Sequence, residues 1–186
     1  TLILGDLFGQ ELYVPGISAA AGSKIQISGP VHLTELYQTG SATLEFYKNG
    51  SLTVDSMLHL ENVSFKTEGA TAVQCTDSEL TGTIGIPELH MSGDGTFTDC
   101  TLPSLTLAGT DDQQLTGTLN VQDLTFENTA GRVAVNAAVS VSGTLQNKNT
   151  ALRSGQKVKL LAGGRIDGSV YHGALTLDGV SIPQSI

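Results

Sequence analysis

Four histidines, two cysteines and 18 acidic residues are the groups in this 186-residue chain with chemistry to offer. Asp111-Asp112, and Asp94 together with Asp99, are the best carboxylate groups. Two carboxyl groups at a suitable separation serve glycoside hydrolysis, one as acid and the other as base or nucleophile. A Gly-His-Gly segment that would bring a histidine beside such a pair is absent, so these aspartates are expected in turns. A lyase would need an Arg or Lys base beside calcium-binding acids, and only nine cations are spread along the chain. His32, His59, His90 and His172 each sit inside a strand-like alternation. His59 and His90 occupy the middle of Leu-x-Leu and Leu-x-Met units and are expected to point outward, as neighbours two coils apart if coils stack. No third ligand or carboxylate partner for them is evident in the sequence, and a metal site is not expected. Ser92-Gly93-Asp94-Gly95 lacks both the EF-hand spacing and tandem Gly-Asp nonapeptides. Gly-x-Ser-x-Gly, P-loop and Rossmann fingerprints do not occur. The sequence thus assigns no catalytic, cofactor-binding or metal-ligating residue, and the chain is expected not to be an enzyme.

Cys75 and Cys100 are too few for a disulfide framework and lack metal-ligand spacing. They read either as a pair bonded in an oxidising compartment or as two small buried thiols. Asn49-Gly50-Ser51 and Asn62-Val63-Ser64 fit the glycosylation acceptor pattern.

Composition narrows the partners. Nine basic against 18 acidic residues give a net charge of −9, which argues against a phosphate-backbone binder, so no nucleic-acid partner is expected. Charged residues are 15% of the chain and hydrophobic ones 39%, a profile unlike that of a disordered protein. With no Trp and 5% aromatics, stacking platforms look poorly supplied. No apolar run is long enough for a membrane span. No basic stretch with an apolar run opens the chain, so any signal peptide is expected to have been removed.

The elements that must position these groups repeat. Residues 80–91 and 115–126 share five of twelve positions at an offset of 35. The pairs Leu58/Leu60, Val73/Cys75, Leu89/Met91, Leu105/Leu107 and Leu124/Phe126 start 15 to 19 residues apart. Each pair flanks one polar residue, which puts both members on one face of a strand. Gly-rich or polar turns separate them, and Asn49-Gly50 is the one strong hairpin signal. Residues 17–22 and 133–139 are the best helical candidates and are short. Direct repeats in one register predict an all-β parallel β-helix, a β-solenoid of roughly 16–20 residues per coil, with an antiparallel β-sandwich as the alternative. One turn cannot bury its inward residues alone; stacked turns close a continuous apolar column. Residues 1–16, rich in Leu, Ile, Phe, Tyr and Val, are expected to be an N-terminal cap or an exchanged strand, with 17–186 one solenoid domain.

The stretch Val158-Lys159-Leu160-Leu161-Ala162-Gly163-Gly164-Arg165-Ile166-Asp167-Gly168-Ser169-Val170 resembles a coil of bacterial parallel β-helix proteins such as bactofilins. Ala138-Val139-Ser140-Val141-Ser142-Gly143-Thr144-Leu145 is similar to the texture of filamentous-haemagglutinin-type adhesins. The cysteines and the irregular first 60 residues are unlike a bactofilin. The resemblance implies a secreted or cell-surface structural role, as an adhesin module or filament subunit joined by strand pairing at its ends. It hands over no functional residue. Self-association and a surface glycan are the expected partners. The expectation from another class is a polysaccharide-binding or polysaccharide-cleaving solenoid, marked by acidic residues lining a groove with an aromatic platform.

Overall fold

The computed structural model describes residues 1–5, 10–69, 71–148, 151–154, 158–168 and 175–177. Its strands run in the order β1 (Leu2–Gly5), β2 (Leu12–Ala19), β3 (Lys24–Gln38), β4 (Ala42–Thr67) and β5 (Val73–Ile84). They continue as β6 (Leu89–Met91), β7 (Gly95–Leu107), β8 (Gln113–Phe126), β9 (Arg132–Val135) and β10 (Ala138–Val141). The last are β11 (Thr144–Asn147), β12 (Ala151–Ser154), β13 (Val158–Leu160), β14 (Arg165–Gly168) and β15 (Leu175–Leu177). No helix occurs among the described residues, and every pairing there is parallel. The chain is a β-solenoid of about 8 turns, as the repeats predict. The short helical candidates are absorbed into β2 and into β9 and β10 with their turns, because β-branched residues there pack on neighbouring coils.

Three faces stack around one core. The first carries the inward column Leu12, Val31, Leu52, Val73, Leu89, Leu105, Leu124 and Leu145. Steps along it range from 16 positions, at Val73 to Leu89, to 21 positions, at Val31 to Leu52, close to the expected repeat. The second face carries Ile17, Leu36, Leu58, Ser78, Gly95, Leu115 and Val135. The third includes Cys100, Leu119, Val139 and Val158. Four of the five apolar pairs expected to stack do so on the first face. Leu58/Leu60 lies on the second face instead; its place in the first column belongs to Leu52/Val54, opposite Val73/Cys75. Apolar-polar-apolar triplets occur on both faces, so their spacing alone does not say which face each occupies.

Corners absorb the variation in coil length. Asn49-Gly50 makes no hairpin: residues 48–50 bulge opposite Gly29, with Asn49 at φ 64°, and the strand continues in the same direction. Two buried amides brace another corner. Gln113 Nε2 donates to the Met91 and Gly93 carbonyls, and Asn128 Nδ2 donates to Gln113 Oε1 at 3.0 Å. These bonds satisfy polar groups that burial would otherwise penalise.

Residues 1–5 and 10–16 take part in the solenoid itself. β1 pairs with β3 from Leu2 opposite Ile25, and β2 pairs with β3 from Leu12 opposite Val31, running through residue 16 without a break. The C-terminal proline segment, residues 182–186, lies outside the described residues.

Both thiols are free and buried. Cys75 stacks between Val54 and Met91 on the first face, whereas Cys100 lies opposite Leu119 on the third. Burial pushes each thiol up to about 12, Asp77 adding to the effect at Cys75. Neither is then a thiolate near neutrality. At pH 8 the folded protein is expected to react with a water-soluble thiol reagent at least about 100-fold more slowly than the denatured chain, at a rate set by local opening. Stoichiometric labelling of the folded protein as fast as that of the unfolded chain contradicts this burial.

Candidate functional site

Alternation along each strand sends the residue between two inward ones to the outer surface, and stacking aligns those residues into ladders. The outer ladder of the first face runs Tyr13, His32, Thr53, Gln74, His90, Thr106, Thr125 and Gln146. That of the second face contains Tyr37, His59, Glu79, Thr96 and Thr116. His59 and His90 therefore sit on different faces and are not neighbours. The sequence expectation missed their partners as well. His59 Nδ1 lies 3.0 Å from Glu79 Oε2 one turn on, and His90 Nε2 lies 2.9 Å from Glu88 Oε1. His172 falls outside the described residues. Among the described residues no group of three or more His, Cys, Asp or Glu side chains is placed to hold a metal ion.

The candidate aspartates are tied to the backbone. Asp94 Oδ1 accepts the Gln114 N–H at 2.7 Å, and Asp112 Oδ1 accepts the Arg132 N–H at 2.9 Å, each from the next turn. Asp77 and Asp123 do the same for Asp94 and Thr144, at 2.7 and 2.6 Å. Four corner carboxylates thus fasten one coil to the following one through charge-assisted hydrogen bonds. Asp99 occupies a bulge at φ 45°, between the pairs Phe97/Gly117 and Cys100/Leu119. A groove of about 350 Å³ crosses the third face along Thr83, Thr101, Asn120 and Ser140. None of Asp94, Asp99, Asp111 and Asp112 lines it. Asn49 and Asn62, the two acceptor-pattern asparagines, are exposed at corners with positive φ, and Asn62 Oδ1 accepts the Thr83 N–H at 3.2 Å.

What the sequence reading passed over is a polar and aromatic concentration in the first turns. Tyr13 lies against His32 with ring centroids 4.9 Å apart, and Tyr37 stacks on His59 at 4.2 Å. The Tyr13 hydroxyl donates to Glu11 Oε2 at 2.7 Å, and Glu11 Oε1 stands 2.6 Å from His32 Nε2. Asp55 Oδ1 is 3.8 Å from His32 Nδ1. Donation to Glu11, more than burial, raises the Tyr13 hydroxyl above its ordinary 10.0. Tyr13, Val14, Pro15, His32, Leu33, Thr34 and Asp55 line a cleft of about 260 Å³. Tyr13 to His32 spans 19 positions and Tyr37 to His59 spans 22, each one turn once the register of that turn is known.

No protein-family profile, curated protein or solved structure matches the chain.

A second cluster is structural in character. The Glu45 carboxylate is almost wholly buried, yet it receives Gln26 Nε2 at 2.9 Å and the Tyr47 hydroxyl at 2.8 Å. Lys24 and Lys66 approach its other oxygen at 3.0 and 3.4 Å. Gln26 first, then Tyr47 and Lys24, hold the Glu45 carboxyl down at about 2, against the opposing effect of desolvation. Lys24, Glu45 and Lys66 are spaced by 21 positions, one turn each, which is how the sequence encodes the cluster. Because the folded value is depressed, the stability Glu45 contributes is present above about pH 4.5 and is lost as pH falls toward 2. Thermal melts from pH 6 to 2 are expected to show a steeper decline in wild type than in Glu45→Gln. Parallel curves for the two proteins contradict the assignment.

Proposed function

We propose that this chain is a non-catalytic structural module of a secreted or cell-surface protein, an adhesin segment or filament subunit, which joins neighbours by strand pairing at its ends. The observation that carries this reading is the outer edge of the first turn. Among the described residues β1 and β2 pair only with β3. Leu2 and Ile3 of β1 are 39% and 72% exposed. A strand edge is a template for another strand, and proteins that avoid such pairing blunt it with charge, proline or a cover; β1 carries neither charge nor proline, whereas β2 contains Pro15. A head-to-tail joint of this kind does not close on itself and propagates. The surface chemistry agrees with a scaffold: the corner aspartates are engaged by backbone N–H groups and the described histidines by carboxylates.

Sedimentation velocity and electron microscopy test it. Rods that lengthen with protein concentration are expected from the wild type, and monomers from Leu2→Lys/Ile3→Lys with its melting profile retained. Substitution is the better probe than removal of residues 1–14, because deletion would expose β3 as a new edge. A wild type that stays monomeric at every concentration, or rods that persist in the charged variant, overturns the reading. Release of reducing ends or unsaturated uronides from acidic polysaccharides would instead establish a polysaccharide-cleaving solenoid.

A further inference from the structure

The geometry points to the cleft beside Tyr13 as a binding site for an amino-bearing pyranose, the glucosamine class of sugar, within a glycan chain. This goes beyond the assembly reading and does not rest on it, since the cleft is lined by residues of three successive turns, from β2, β3 and β4. Tyr13 is 65% exposed while its hydroxyl is held by Glu11, which in turn is held by His32. The exposed ring is therefore fixed in orientation before a ligand arrives, which lowers the ordering cost of binding. A pyranose presents an apolar C–H face to such a ring and its hydroxyls to the sides, matching an aromatic platform with polar flanks. Pro15 extends the apolar floor, and the exposed Thr34 hydroxyl stands at its rim.

Charge selects within the sugars. Asp55 has a side chain 58% exposed and lines the cleft; it approaches His32 at 3.8 Å, beyond hydrogen-bond range. It is placed to accept from an ammonium group, and Tyr13 adds cation–π attraction for the same group. Glu11 and the net charge of −9 reinforce a preference for a cation and repel a uronate.

Isothermal titration with a glucosamine hexamer and, separately, a galacturonate hexamer tests the site. The glucosamine hexamer is expected to bind saturably and more tightly than the galacturonate one. Tyr13→Ala and Asp55→Asn are each expected to weaken it about tenfold, the scale of one lost stacking or charge-assisted contact. Tyr37→Ala, which removes the other stacked tyrosine outside the cleft, is expected to leave it unchanged. Chemical-shift perturbation of the His32 ring by the hexamer in wild type gives a readout independent of any variant. Absence of saturable binding, equal or tighter binding of the galacturonate hexamer, or an equal loss in Tyr37→Ala and Tyr13→Ala overturns the proposal. Loss of filaments in the edge variant with sugar binding intact would separate this site from the assembly joint.

Discussion

Gly117→Ala is expected to destabilise the solenoid by more than about 4 kcal/mol, a size that only a specific structural fault produces. Gly117 sits at φ 90°, and a Cβ there would lie 1.9 Å from the Phe97 carbonyl oxygen of the preceding turn. That atom is backbone and cannot swing aside. Adjacent turns are held at roughly 4.8 Å by their ladder of hydrogen bonds, so relief requires parting two coils. Gly22 supplies the control, with φ 79° and nothing within 4 Å of the built Cβ. Gly22→Ala meets only the left-handed backbone penalty, about 1–2 kcal/mol. Denaturant midpoints for the two variants therefore isolate the clash from the conformational cost, and coincident midpoints would show that the turns do not approach as closely as described.

Leu105→Ala is the second large effect, about 2–5 kcal/mol for a buried leucine truncated in a packed column. Leu105 is 0% exposed and stacks directly between Leu89 and Leu124, as its repeat position predicts. The neighbouring Thr106 is the polar residue flanked by the inward pair Leu105/Leu107 and alternates to the outer side. It is nonetheless only 4% exposed, in line with His90 on one side and Thr125 on the other. Outer ladders pack along the axis, so an outward side chain is covered by its neighbours above and below. Thr106→Ala is accordingly expected to cost about 1 kcal/mol or less rather than nothing, still well short of Leu105→Ala. Equal shifts in unfolding free energy at the two positions would contradict the register.

The column from Val73 through Leu124 was legible because apolar-polar-apolar triplets recur there at nearly constant spacing. The offset of 35 between residues 80–91 and 115–126 matches true stacking at Leu89 and Leu124, two turns apart through Leu105. At Leu80 it fails by two positions, because Leu80 stacks on Phe97 and then on Gly117. Corners that differ by a residue or two change the register of each face separately, and no single sequence offset follows all three. The Glu45 cluster and the Tyr13–His32 contact escaped notice for a related reason. Their members are polar, ordinary in local context, and meet only when the length of that particular turn is known. Asp94 and Asp112 show the reverse: as sequence they qualify as candidate acids, and only the backbone N–H facing each one reveals its use.

The parallel register gives the chain a mechanical property. Each turn touches only the turns on either side, so tension applied at the two ends meets one coil at a time, beginning at an edge. About 8 turns stacked at roughly 4.8 Å occupy about 40 Å along the axis. One coil of about 20 residues drawn out straight spans roughly 65–70 Å. Releasing a single turn would therefore lengthen the molecule by more than the whole folded stack measures. A solenoid built this way is expected to yield stepwise under tension, dissipating work at each step, with the aspartate bonds from Asp77, Asp94, Asp112 and Asp123 adding to the backbone ladder at the turns they join.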